Sequence, residues 1–223
     1  MRFWTFWKLL SFIVDVPVAD GIDSQGNVIQ LTLRKGQFLL TSPKMIYSYG
    51  SRYEVLKQAY EFFDVYGMKP VSVLFLGSGI VSGVQLLNSH GIVPDVAMLV
   101  EKEPLICQWL KSFVRPFLRA KNVELVCSDA VQAVKDLKQL FDLIVVDLFV
   151  DDVVPEFVGT ETFLRNVVRL IANDGLAIIN ITKFPEGNMR VANNIQNVLR
   201  NLSVEYATFE VGEKNIVYGI RRK

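Results

Sequence analysis

Four apolar runs in this sequence end in residues able to bind a ligand or move a proton. VSVLFL leads into Gly77, Ser78 and Gly79, VAMLV into Glu101, VELVC into Asp129, and FDLIVV into Asp147. Glycines at such a turn accept positive φ and let backbone N–H groups approach a ligand with no Cβ in the way. Glu101 follows Gly77 at about the spacing where nucleotide-binding sheets carry the carboxylate for the ribose hydroxyls. Asp129 precedes Ala130 at the start of a helical segment, so it either caps that helix or accepts a hydrogen bond from an exocyclic adenine amine. Asp147 closes its buried apolar run and so belongs at the same rim as Gly77, Glu101 and Asp129. Asp151 and Asp152 follow in LFVDD and either line an acidic pocket for a cationic substrate or belong to a solvated loop. Both in one small pocket would raise each other's proton affinity. Asp142, at the beginning of its run, belongs to the opposite end and reads as a structural charge.

These residues need a frame that brings four run ends to one rim. From Pro70 onward, VSVLFL, VAMLV, VELVC, FDLIVVD and LAIINI alternate with segments of helical spacing that begin near Val81, Pro104, Ala130 and Thr160. Nearly continuous apolar runs suit strands covered on both faces, and their alternation with helices implies a parallel sheet wound by right-handed crossovers. The end of the chain differs: VEYATFEV and NIVYGIRR are joined by a turn too short for a crossover, which implies an antiparallel hairpin. Upstream, Val16 to Leu40 reads as a β-hairpin region with Lys35 and Gly36 at its tip. Tyr53, Leu56, Ala59, Tyr60 and Phe63 then share one helical face. The expected organisation is a small β-rich region over residues 1–50 and an α/β domain over residues 51–223.

Composition narrows the function classes. Twenty-four basic residues balance 23 acidic ones, giving a net charge of +1, so no global field favours nucleic acid or an anionic membrane. The single histidine, His90, excludes a multi-histidine metal site, and its setting in NSHG suggests a helix end closed by Gly91. Cys107 and Cys127 lack metal-ligand spacing and read as reduced core thiols, in keeping with a cytoplasmic protein that holds no metal. The opening MRFWTFWKLLSFIVDV is interrupted by Lys8, is too short to span a bilayer and shows no clear cleavage site. Its Phe3, Trp4, Phe6 and Trp7 call for burial, either within the chain or against a second copy.

The motifs VLFLGSG, VEKEP, SDA and FDLIVVDLFVDDVVPE, with the β-hairpin region and YSYGSRYEVL before them, resemble the spermidine synthase-like branch of the S-adenosylmethionine-dependent methyltransferase superfamily. The resemblance covers nearly the whole chain and implies the Rossmann-like methyltransferase fold, a parallel sheet with a C-terminal antiparallel hairpin. It implies an adenosyl-sulfonium cofactor, S-adenosylmethionine or its decarboxylated form, held by Gly77, Ser78, Gly79, Glu101, Asp129 and Ala130. It further implies that Asp147 orients and deprotonates the amine of a small-molecule acceptor; Tyr47, Tyr49, Asp151 and Asp152 are the residues this chain itself offers for holding that acceptor. It favours a homodimer joined through the N-terminal region.

Three departures set this chain apart. Ile80 and Val81 stand where the family has an acidic residue and a further glycine, so that a branched side chain is expected to crowd the ligand. Leu148 and Phe149 replace two small hydroxyls, and the usual Tyr-His-Glu is absent. The reading is therefore a methyl or aminopropyl transferase other than an authentic spermidine synthase, with a catalytically inactive, ligand-sensing or partner-binding relative as the alternative. A nicotinamide-dependent oxidoreductase shares Gly77 and Glu101 but is disfavoured by the C-terminal hairpin.

Overall fold

The computed structural model describes residues 2–43 and 46–222, apart from the side chains of residues 2 and 3. The Phe3 side chain and Lys223 therefore lie outside the described residues. The chain opens with helix α1 (Arg2–Leu10), followed by strands β1 (Val16–Ile22), β2 (Val28–Arg34), β3 (Gln37–Thr41) and β4 (Ile46–Ser48). These four strands form an antiparallel sheet in the order β1-β2-β3-β4. Lys35 and Gly36 form the β2–β3 turn at φ of 50° and 75°, as the sequence suggested. Helix α2 (Glu54–Phe62) buries Leu56, Ala59 and Tyr60 on the expected face, and a single turn, α3 (Val65–Met68), leads into the second sheet.

That sheet alternates strand and helix. Strand β5 (Ser72–Leu76) is followed by α4 (Ser82–Ser89), β6 (Val96–Glu101), α5 (Pro104–Trp109), β7 (Asn122–Cys127), α6 (Ala130–Asp136) and β8 (Phe141–Val146). Helix α7 (Glu161–Arg169), β9 (Ile171–Thr182), α8 (Gly187–Asn201), β10 (Val204–Val211) and β11 (Asn215–Arg222) complete it. The strand order is β10-β11-β9-β8-β5-β6-β7, parallel from β7 through β9 and antiparallel where β11 joins β9 and β10. This is the α/β Rossmann-like arrangement expected, with the C-terminal hairpin in place. The winding reverses direction between β5 and β8, the point at which such sheets bind ligands.

Two apolar clusters cover the sheet. One joins Val73, Phe75 and Leu99 to α2, α4 and the small antiparallel sheet; the other joins Leu74, Leu76 and Ile144 to α6, α7 and α8. Residues alternate between the two because successive strand side chains point to opposite faces.

Two local expectations change. Cys107 is buried but Cys127 is exposed, because it ends the edge strand β7. Helix α1 divides its aromatics: Trp4 packs edge-on against Phe38, Phe113 and Phe117, whereas Phe6, Leu9, Phe12 and Ile13 at and beyond its outer face are exposed. Asp142 sits at the far end of β8 as expected, where its carboxylate accepts from the Val71 and Ser72 amides, each at 2.8 Å. Helix α4 ends at Ser89, and Gly91 takes φ of 77° just beyond it, with His90 stacked on Tyr66. Among the described residues no helix is long and apolar enough to cross a membrane.

Candidate active site

The carboxyl ends of β5, β6, β7 and β8 open on one cleft of about 140 Å³ whose lining includes Gly77, Gly79, Glu101, Asp129, Ala130 and Asp147. The β1–β2 turn closes one side through Asp23 and Gln25. It is tied down by Ser24, whose backbone N–H and hydroxyl donate to Glu103 Oε2 at 3.0 and 2.6 Å. Leu148, Phe149 and Ile106 supply apolar wall.

Gly77 takes φ of 77°, and a Cβ there would lie 2.4 Å from the Asp147 carbonyl oxygen. Glycine is therefore required for β5 and β8 to turn outward side by side, which places the Asp147 backbone against the glycine turn. The turn's amides are engaged internally: Gly77 N–H and Ser78 N–H donate to the Val100 carbonyl, and Gly79 N–H donates to Glu101 Oε2 at 2.9 Å. Ser78 itself is buried, its hydroxyl has no partner among the described residues, and it does not line the cleft.

Glu101 is the anchor of this rim. One carboxylate oxygen holds the glycine turn through Gly79, and the other accepts from the Lys102 and Glu103 amides at 2.9 and 3.0 Å. Burial pushes its carboxyl up, opposed by these three N–H donors. A carboxylate offers about four acceptor positions, so a further hydroxyl can still be received. Asp129 caps α6 by accepting from the Val131 amide at 2.8 Å, and its second oxygen pairs with Lys102 Nζ at 3.2 Å. The Ala130 amide, the first of α6, has no hydrogen-bond partner among the described residues and lines the cleft.

Asp147 is the chemically poised group. Asn180 Nδ2 donates to its Oδ1 at 2.8 Å, and the Tyr53 phenol donates to the same carboxylate. Asn180 is in turn fixed by Asn215 Nδ2, which donates to its Oδ1 at 3.0 Å. Burial raises the Asp147 pKa to about 6, with the Asn180 and Tyr53 donors opposing the rise. Burial and the Asp147 charge likewise hold the Tyr53 phenol well above its ordinary range, so it acts as a donor at neutral pH.

Tyr53 and Asn180 escaped the sequence reading. Tyr53 was absorbed into a helical face, although it precedes α2 and points at Asp147 instead. The available signal for Asn180 was a lone amide inside the apolar run AIINIT, since a buried amide requires partners.

The acceptor-facing candidates separate. Tyr47 and Asp151 line the cleft, and the Tyr47 hydroxyl donates to Asp151 Oδ1 at 3.1 Å; burial, first, and Asp151 push the phenol up to about 12. Asp152 is exposed and outside the cleft lining; its carbonyl accepts from Asn188 Nδ2 at 2.8 Å, which points the residue outward at the turn. Tyr49 is also outside the lining, near Arg34 on the β2 end. Ile80 and Val81 are fully buried in the core and do not line the cleft, so neither crowds it. Among the described residues no cluster of His, Cys, Asp or Glu is arranged to hold a metal ion.

Known structures share this frame. A probable spermidine synthase from Corynebacterium glutamicum superposes with a TM-score of 0.69 at 15% identity, covering 92% of this chain and 80% of that one. Spermidine synthase from Thermotoga maritima gives 0.59 at 17% identity, with 92% and 72% coverage. A Podospora anserina methyltransferase bound to SAH gives 0.59 at 15% identity, with 78% and 80% coverage. No curated protein sequence matches the chain. The spermine/spermidine synthase domain does match residues 56–214, from α2 through the turn before β11 and so across every strand end of the cleft. With that match spanning most of its length, the chain belongs to the spermine/spermidine synthase family of transferases.

Proposed function

We propose that the protein transfers a methyl or aminopropyl group from an adenosyl-sulfonium donor to the amine of a small, cationic acceptor, with Asp147 as the proton acceptor. The observation that carries this reading is the Asp147 carboxylate, held by Tyr53 and Asn180 with a pKa near 6 at the mouth of the glycine turn. Above that pH it is charged, attracts an ammonium group and can take its proton, which frees the nitrogen lone pair. The donor supplies an electrophilic carbon, whose bond to sulfur breaks with the electron pair left on sulfur as the nitrogen–carbon bond forms. Holding nitrogen, carbon and sulfur in line supplies much of the acceleration.

The donor set fits a nucleoside. Glu101 has an acceptor position left for ribose, the Ala130 amide and Asp129 can meet the adenine edge, and Leu148, Phe149 and Ile106 offer apolar surface to its ring. A cleft of about 140 Å³ is smaller than the roughly 300 Å³ or more of most ligand pockets. Binding therefore requires the Tyr47–Asp151 and Lys102–Asp129 contacts to part. The bulk of Leu148 and Phe149 beside Asp147 speaks for an acceptor other than the family's slender diamine.

The test is calorimetric titration with S-adenosylmethionine, decarboxylated S-adenosylmethionine and methylthioadenosine. Micromolar binding of one of them, about 8 kcal/mol, supports the reading and identifies the donor; absence of binding at millimolar concentration overturns it. The exposed Phe6 and Leu9 of α1, with Ile13 just beyond it, favour a homodimer through the N-terminal region. Light scattering that gives twice the monomer mass, reduced to one by Leu9→Glu, is the expected outcome.

A further inference from the structure

We propose a second binding site, for a small molecule with an aromatic body and an anionic group such as a sulfonate or carboxylate. It occupies a cavity of about 370 Å³ between α1, the β2–β3 hairpin and the C-terminal half of α4. The cavity shares no lining residue with the nucleoside cleft and has the opposite charge. The cleft is lined by Glu101, Glu103, Asp129, Asp147 and other carboxylates, whereas this cavity carries Lys8 and Arg119 and no acidic residue. An anion repelled by the first is attracted to the second.

The two cations on the cavity are short of acceptors. The Lys8 ammonium makes no ion pair or hydrogen bond among the described residues. Arg119 directs Nη2 to the Asn88 carbonyl at 2.5 Å and has no carboxylate partner among the described residues, which leaves most of its planar fork for a ligand. The Gln85 carboxamide makes no hydrogen bond among the described residues, and its Oε1 is buried without a donor. A buried amide with nothing to bond is costly. Rotation of that amide, or an N–H or O–H of the ligand donated to its oxygen, removes the deficit.

The apolar part of the site is aromatic. Trp4 and Phe38 both pack edge-on against Phe117, with ring centroids 5.6 and 5.4 Å apart, and all three rings line the cavity. The volume lies within the range of ordinary small-molecule pockets. Cations beside ring faces and edges suit a flat molecule with one negative end.

The probe is 8-anilinonaphthalene-1-sulfonate, compared with N-phenyl-1-naphthylamine, which has the same rings and no charge. Fluorescence titration of the full chain is expected to show one sulfonate bound, with the uncharged amine at least about tenfold weaker, a difference of about 1.4 kcal/mol. Lys8→Gln and Arg119→Gln are each expected to weaken the sulfonate severalfold. The Lys8 side chain is exposed and its ammonium has no bonded partner among the described residues, so its replacement keeps the test valid if Arg119→Gln disturbs the Asn88 contact. Equal affinity for the two probes overturns the proposal, because it would indicate simple adsorption to the exposed apolar face of α1. Displacement of the sulfonate by methylthioadenosine also overturns it, since the probe would then lie in the nucleoside cleft.

Discussion

The Tyr53 phenol, from the turn before α2, donates to the Asp147 carboxylate at the end of β8. The amino-terminal half of the molecule thereby reaches the group best suited to move a proton. The donor stabilises the charged carboxylate against the burial that raises its pKa to about 6. Tyr53→Phe removes it, so the folded-state pKa moves further up and the carboxylate is lost at a higher pH as the solution is acidified. A carbon-13 NMR titration, with Asp147 assigned by comparison with Asp147→Asn, should place the variant's midpoint above that of the native protein. An unchanged midpoint would remove Tyr53 from the site.

Glu101 performs two tasks, and substitution separates them. Its carboxylate holds Gly79, Lys102 and Glu103 by their amides, so Glu101→Ala leaves three donors without a partner in addition to removing the ribose acceptor. Each buried donor left unsatisfied costs about 1–3 kcal/mol. Thermal denaturation should show a large loss for Glu101→Ala and a smaller one for Glu101→Gln, which keeps one acceptor oxygen. Loss of nucleoside binding in Glu101→Ala alone therefore does not isolate the ribose contact. Comparable melting of Ala and Gln variants would contradict the anchoring role.

Gly77→Ala should be among the most damaging small substitutions. The new methyl meets the Asp147 carbonyl oxygen at 2.4 Å on a backbone with φ of 77°, and the atom it meets is main chain and cannot swing aside. Steric and conformational strain together should cost about 3 kcal/mol or more. Chemical denaturation measures it. The matched change Gly91→Ala is informative because Gly91 has the same φ and nothing within 4 Å of its Cβ, so it isolates the backbone component.

The strand ends were legible in the sequence because each parallel strand is a continuous apolar run that stops at a glycine or carboxylate. Gly77, Glu101, Asp129 and Asp147 could be aligned on one rim without knowledge of any contact. The C-terminal hairpin was legible from its short turn, and the β2–β3 tip from Lys35 and Gly36. Direction within a turn was not legible. Asp151 faces the cleft and its neighbour Asp152 does not, which depends on a φ of 53° at Asp151 that no composition rule announces. Tyr53 and Asn180 converge on Asp147, and Asn215 holds Asn180 in turn, an arrangement whose amide part exists only once β8, β9 and β11 are paired. The exposure of Cys127 likewise follows from β7 being the sheet edge.

Val81 tests whether the departure from the family's glycine turn matters for binding. It takes φ of 68° and ψ of 39°, a left-handed conformation that costs an L-residue about 1–2 kcal/mol relative to its usual regions. The family's glycine at this position would adopt it freely. The side chain nevertheless points into the core, is fully buried and lines no part of the cleft. Burial of a valine contributes about 1.5–3 kcal/mol, enough to offset the strain. Val81→Gly should therefore destabilise the fold by only about 1 kcal/mol or less, since the lost burial and the relieved strain nearly cancel. Nucleoside affinity should change by less than about threefold, or roughly 0.7 kcal/mol. Calorimetric titration of the variant decides the matter: a tenfold gain in affinity would mean that the valine narrows the cleft through the backbone of the turn, and equal affinity would mean that the chain has replaced a glycine at no cost to the site.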